Sequence, residues 1–179
     1  MSLTAAEGPI SRADTLLAAS LAACARWQSM VGAVAAPAAL ARIHFGALPP
    51  PDARRQEYSL AELAALRPFA IVFADEDTTL TLRHKSTGTR RRFHDEGLVK
   101  FYIERDVPAE LALDPAELDR RFKNDAGVLM QELCALAGLA GYLAINEITG
   151  RGPLRSDKDE VTGKGDYQHF YFDVQWGRT

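Results

Sequence analysis

The chain is poor in the residues that staple or anchor small proteins. It has 179 residues but only two cysteines, Cys24 and Cys134, which excludes a disulfide framework of the secreted kind. No apolar run approaches the roughly 18 residues that a membrane-spanning helix needs. Positive charge is in short supply, and the formal net charge of −3 argues against a general binder of nucleic acid or anionic membrane. The four histidines, His44, His84, His94 and His169, show no metal-ligand spacing, and neither cysteine has a partner two residues away. Thr162-Gly163-Lys164-Gly165 lacks the upstream glycine and the following hydroxyl residue of a phosphate loop. There is no Gly-x-Ser-x-Gly nucleophile elbow, and no acid stands two residues before any of the five lysines, as metal-dependent nuclease chemistry on a strand would require. Asp157, Asp159 and Glu160 could hold a hard cation, but they read first as a solvated loop. What is present is enough apolar material, 47% of residues, to build one core without a metal or disulfide.

The N-terminal region carries one pattern that resembles a targeting signal. Leu21-Ala22-Ala23-Cys24 is similar to a lipoprotein cleavage box, with Arg12 upstream. Glu7 and Asp14 place acid where such a signal wants only basic charge. Cys24 is therefore expected to be a buried helix residue.

Along the chain, residues 1–10 read as an N-terminal arm broken by Gly8-Pro9, and 11–179 as a single α+β domain. Ser11-Arg12-Ala13-Asp14 has the capping-box pattern, and Leu16, Leu17, Ser20, Leu21, Cys24, Trp27 and Val31 recur at helical spacing up to Gly32. A short helical turn can follow Pro37, and Arg42-Ile43-His44-Phe45-Gly46 reads as extended. Residues 52–66 form a surface insert, a polar loop and then a helix. Ser59-Leu60-Ala61-Glu62 is a second capping box, and the helix it opens must stop near Arg67 because Pro68 follows.

Four strands are expected next, joined as an antiparallel meander. They are Phe69 to Phe73, Thr78 to Lys85, Thr89 to His94 and Leu98 to Arg105, with turns at Asp75-Glu76-Asp77, Ser86-Thr87-Gly88 and Asp95-Glu96-Gly97. Pro115 to Gly138 is the clearest helix. Asp114 is its cap, and Leu118, Phe122, Ala126, Leu129, Leu133, Leu136 and Ala140 form one apolar stripe. Tyr142 to Ile148 reads as a fifth strand, 149–166 as a long charged loop, and Tyr167 to Trp176 as a sixth strand. In that last strand Phe170, Phe172, Val174 and Trp176 share one face, and His169, Tyr171, Asp173 and Gln175 the other. The fold class is α+β: an antiparallel β-sheet with a long helix and an N-terminal helix packed against it.

Charge is distributed unevenly. Between residues 83 and 105, seven cations face three acids, a local balance of +4 that leaves −7 for the rest of the chain. Arg83, Lys85, Arg90, Arg91 and Arg92 make the 83–94 hairpin the candidate interface. Aromatic platforms among these cations are few, which favours a protein partner over nucleic acid.

The order of these segments resembles the tail-terminator, or tail-completion, proteins of tailed bacteriophages and gene-transfer particles. The likeness rests on the N-terminal amphipathic helix, Arg42-Ile43-His44-Phe45-Gly46, Arg67-Pro68-Phe69-Ala70-Ile71-Val72, the meander ending in Leu98-Val99-Lys100-Phe101-Tyr102-Ile103-Glu104, the long helix, and the closing strand Phe170-Tyr171-Phe172-Asp173-Val174-Gln175-Trp176. It spans residues 11–176. The 52–66 insert and the 149–166 loop are larger than in a minimal member, so a head–tail connector of similar build stays open as an alternative, as does a small binding module or a hydrolase or nuclease with an unrecognised site. The resemblance implies a structural virion protein without catalysis, cofactor or metal. It implies a self-assembled ring, commonly a hexamer, that caps the tail tube and meets a head-completion or connector protein in the particle's neck, assembled in the host cytoplasm. No membrane and no sequence-specific nucleic acid enter as partners.

Overall fold

The computed structural model describes residues 9–52, 54–55, 57–74, 83–87, 90–94, 96–106, 115–136, 144–155 and 167–177. It is an α+β fold. Helices α1 (Pro9–Ala23), α2 (Ala25–Val31) and α3 (Ala36–Leu40) precede a short strand β1 (Ile43–Phe45) and helix α4 (Leu60–Leu66). Strands β2 (Phe69–Ala74), β3 (Arg83–Thr87), β4 (Arg90–His94) and β5 (Glu96–Asp106) follow, then helix α5 (Pro115–Leu136) and strands β6 (Ala144–Arg155) and β7 (Tyr167–Gly177).

Five strands form one sheet in the order β1-β2-β5-β7-β6. All neighbours are antiparallel except β1, which runs parallel to β2. The alternation expected for β7 holds along its length: Phe170, Phe172, Val174 and Trp176 are buried. Cross-strand register aligns Val72, Phe101 and Phe172 in one row, and Ala70, Ile103 and Phe170 in the next. The stripe of α5 meets this face through Leu118, Phe122, Ala126, Leu129 and Leu133, all buried; its Ala140 and the Asp114 cap lie outside the described residues. Leu17, Leu21 and Trp27 complete the core from α1 and α2.

Several expectations are corrected. The first helix begins at Pro9, not Ser11, so residues 9 and 10 do not belong to an arm; proline suits a first helical position because its missing N–H would be unsatisfied there anyway. The helix is also not continuous to Gly32. It breaks at Cys24, whose φ of −64° and ψ of 127° are extended. Cys24 is buried as expected, but as the residue between two helices. The break turns Trp27 into the core, where its Nε1 donates to the Ala39 carbonyl at 3.2 Å. Gly32 does end α2, in the left-handed conformation (φ 65°).

The meander is a second correction. β2 pairs directly with β5, and β3–β4 form a separate two-stranded sheet. Ser86 and Thr87 lie in β3, and Glu96 and Gly97 in β5, so these four residues are strand and not turn; residues 75–82, 88, 89 and 95 lie outside the described residues. Third, residues 149–155 continue β6 and are not loop; 156–166 lie outside the described residues. Gly150, a loop signal in sequence, is required by packing, because a Cβ there would stand 2.8 Å from the Phe170 ring and 3.1 Å from the Met130 sulfur. Among the described residues β6 is an edge strand. Its register shifts between Ile145 and Glu147 and between Arg151 and Leu154, irregularities of the kind that keep an edge from pairing with other chains.

Candidate functional site

The five predicted interface residues lie on the β3–β4 hairpin, three on consecutive positions of β4 and two on alternate positions of β3. Register sets Arg83 opposite His94, Lys85 opposite Arg92, Ser86 opposite Arg91 and Thr87 opposite Arg90. The hairpin forms no ladder with the five-stranded sheet among the described residues. The fold therefore brings all five cations onto one small, separately paired element.

A second constellation lies on the sheet face turned away from α5, and the sequence pattern had shown only half of it. Arg67, at the end of α4, donates from Nε to Glu104 Oε1 at 2.5 Å and from a terminal nitrogen to Asp106 at 3.1 Å. The Arg67 and Glu104 side chains are only 7% and 9% exposed. Tyr102 donates its hydroxyl to the other Glu104 oxygen. The Arg67 guanidinium also sits 4.1 Å over the Tyr167 ring. Tyr102 packs against Tyr171 at 5.1 Å and His169 at 5.5 Å between ring centroids, and Phe69 and His44 extend the row.

The electrostatics of this cluster are those of a locked joint. Burial, reinforced by the adjacent Glu104 carboxylate, pushes the Tyr102 phenol well above its ordinary range, so it stays a neutral donor. Burial lowers the His169 imidazole, against the opposing pull of Glu104, and its buried Nδ1 has no partner among the described residues. Both Glu104 oxygens already accept hydrogen bonds, which suits a positioning role rather than proton transfer. Alternation had assigned His169 and Tyr171 to this face. Arg67 and Glu104 were missed because the signal that joins them is register: Phe69 stands opposite Glu104, and Glu104 opposite His169.

Elsewhere, the Cys24 thiol is pushed up to about 12 by burial and secondarily by the Glu132 carboxylate, and it donates to the Ser20 carbonyl at 3.3 Å. A cleft of about 480 Å³ is lined by Arg55, Glu57, Tyr58 and Ser59, where Arg55 is already engaged by Asp52 and Glu62. Among the described residues no three His, Cys, Asp or Glu side chains are arranged to hold a metal ion, and no helix is long and apolar enough to cross a membrane. Asp157, Asp159 and Glu160 lie outside the described residues.

No protein-family model matches the chain, and no curated protein matches it.

Proposed function

We propose that the chain is a structural subunit of a tailed phage or gene-transfer particle, a tail terminator that closes into a ring on the end of the tail tube and offers a surface to a head-completion or connector protein. Its work is done by shape and surface charge, without catalysis, in the neck of a particle assembled in the host cytoplasm. The observation that carries this reading is the segregated hairpin: five cations on a two-stranded element that pairs only within itself among the described residues, on a chain whose remainder is acidic. Such an element adds little to a core and much to a contact. The α+β core, with α1 and α5 packed on the sheet and α2 packed against both helices, supports the reading as the body of a structural subunit. A heterologous contact between identical subunits, repeated by rotation, generates a closed ring.

Native mass spectrometry and negative-stain imaging test the proposal. A ring that stacks on the ends of tail tubes is the expected result. A monomer at every concentration, with no affinity for tubes, would overturn it.

A further inference from the structure

The sheet face turned away from α1 and α5 carries a surface of rings. Tyr102 from β5 and Tyr167, His169 and Tyr171 from β7 stand on it by alternation, each half-buried. Ring centroids are 5.1 Å apart for Tyr102 and Tyr171, 5.5 Å for Tyr102 and His169, and 6.2 Å for Tyr167 and His169. The rings are held in place: the Arg67 guanidinium lies against Tyr167, and Glu104 accepts the Tyr102 hydroxyl. The cations Arg67, Lys100 and Arg151 share this face with Glu104, Asp106, Glu147 and Asp173, a slightly acidic balance that turns a polyanion away.

A segment suited to such a surface stands at the edge of the same sheet. β1 leads into Gly46-Ala47-Leu48-Pro49-Pro50-Pro51. Leu48, Pro49 and Pro50 each precede a proline and are driven toward extended conformations, so the sequence favours a polyproline II run. Ala47, Pro49 and Pro50 are exposed, and Phe45 beside them is 53% exposed. The Tyr58 hydroxyl donates to the Pro49 carbonyl and ties the run to the insert. No residue from 45 to 51 carries a charge. A run of this kind loses little entropy on docking, and aromatic-lined surfaces are its usual receptors.

We infer that the 49–51 proline run of one copy docks on the Tyr102/Tyr167/His169/Tyr171 face of a second copy. The inference rests on the ring reading above and deepens it by naming both halves of a contact between subunits. Charge and shape select the occupant: an uncharged, stiff run of prolines matches fixed rings on a face without excess positive charge, and every copy carries both. The two patches are unlike, so the contact is head-to-tail and repeats from subunit to subunit.

The experiment compares the unaltered chain with P49S/P50S/P51S, Y171A and Y171F by sedimentation and native mass spectrometry. The serine variant and Y171A are each expected to lose association by at least about tenfold, as truncation at the centre of a contact does. Y171F keeps the ring and should assemble normally. Mixing the two weakened variants is the decisive arm. The serine variant still offers the rings and Y171A still offers the prolines, so the mixture should form a heterodimer and nothing larger. A misfolded variant could not complement in this way.

If the unaltered chain forms rings and either weakened variant assembles as well as it does, the pairing is overturned while the ring reading stands. Two weak variants that yield no heterodimer overturn it as well. Oligomers that need both patches but never close would defeat the ring reading and leave this contact standing. A chain that is monomeric at every concentration defeats both, and resonances of Tyr102, His169 and Tyr171 that shift on adding short single-stranded DNA would then give the face to stacked bases instead.

Discussion

On the covered face of the five-stranded sheet, the residues that stand opposite one another are apolar: Phe101 meets Phe172, Val99 meets Val174 and Ile103 meets Phe170. In the hairpin that interrupts this sheet in sequence, the corresponding positions hold Lys85 and Arg92. The backbone pairing is the same and the consequence is opposite. In the sheet, a slip of one residue would turn Phe101 and Phe172 to the other face and expose the core, so burial fixes the register. In the hairpin, register sets one cationic position opposite another. Among the described residues, β5, β7 and α5 carry much of the buried apolar surface.

The strongest test of that division is Phe172→Ala. The side chain is fully buried, between Phe101 at 6.0 Å and Phe170 at 5.4 Å by ring centroid. Its truncation is expected to cost about 3–5 kcal/mol, read as a lower denaturation midpoint in urea. Truncating Phe93 on the hairpin should cost far less. Equal losses would mean that the hairpin is part of the same cooperative core.

The next effect probes the face away from α5. Arg67→Met leaves Glu104 buried without its cation and is expected to cost about 3 kcal/mol, because an uncompensated buried charge is worse than no charge. The double variant Arg67→Met/Glu104→Gln should recover a good part of the loss. If single and double variants are equally unstable, the arginine acts through its packing on Tyr167 rather than through the carboxylate.

How much of this was legible in the sequence depends on what each residue reports. The β7 alternation and the α5 stripe were readable because one face of each is buried, and burial imposes a period. The Ser59–Glu62 capping box was readable because it is local: the Ser59 side chain accepts from the Glu62 amide, and the Glu62 side chain accepts from the Ser59 amide. Partner choice was not readable. Alternation tells which way a side chain faces but not which strand lies beside it, so β2 pairing with β5 and the separation of the hairpin were hidden. Gly150, Gly152 and Pro153 looked like loop punctuation, although Gly150 is cut to fit Phe170 and Gly152, at φ 127°, sits in the register shift of β6. The break at Cys24 had no signal, since its Ala-rich surroundings favour helix on both sides. The Arg67–Glu104 contact joins residues 37 apart in the chain, beyond any motif.

A smaller effect is expected at that capping box. Ser59→Ala removes one of the two reciprocal hydrogen bonds at the start of α4 and should cost about 1 kcal/mol. Glu62 is held down to about 2, first by its hydrogen bond from Arg55 and then by those from Ser59. A loss confined to hydrogen-exchange protection of α4, with the sheet amides unchanged, would keep the insert outside the cooperative core.

Asp14 offers the smallest and most specific change, because it places an ionisable group on the side of the molecule where burial rules. It is half-buried on α1 beside the buried Ala13, and its Oδ1 is buried with no partner among the described residues. Burial raises its carboxyl above the ordinary value of 3.8. The folded protein therefore holds this proton more tightly than the unfolded chain does. The stability that follows is fully present below about pH 4 and is lost as pH rises through the raised folded-state value. Asp14→Asn mimics the protonated side chain at every pH. It should match the unaltered protein near pH 3 and become the more stable of the two by pH 7, as measured by paired thermal melts. A gap of constant size across that range would assign the difference to packing, and a gap of the opposite sign would mean that the ionised Asp14 has a cationic partner in the folded state.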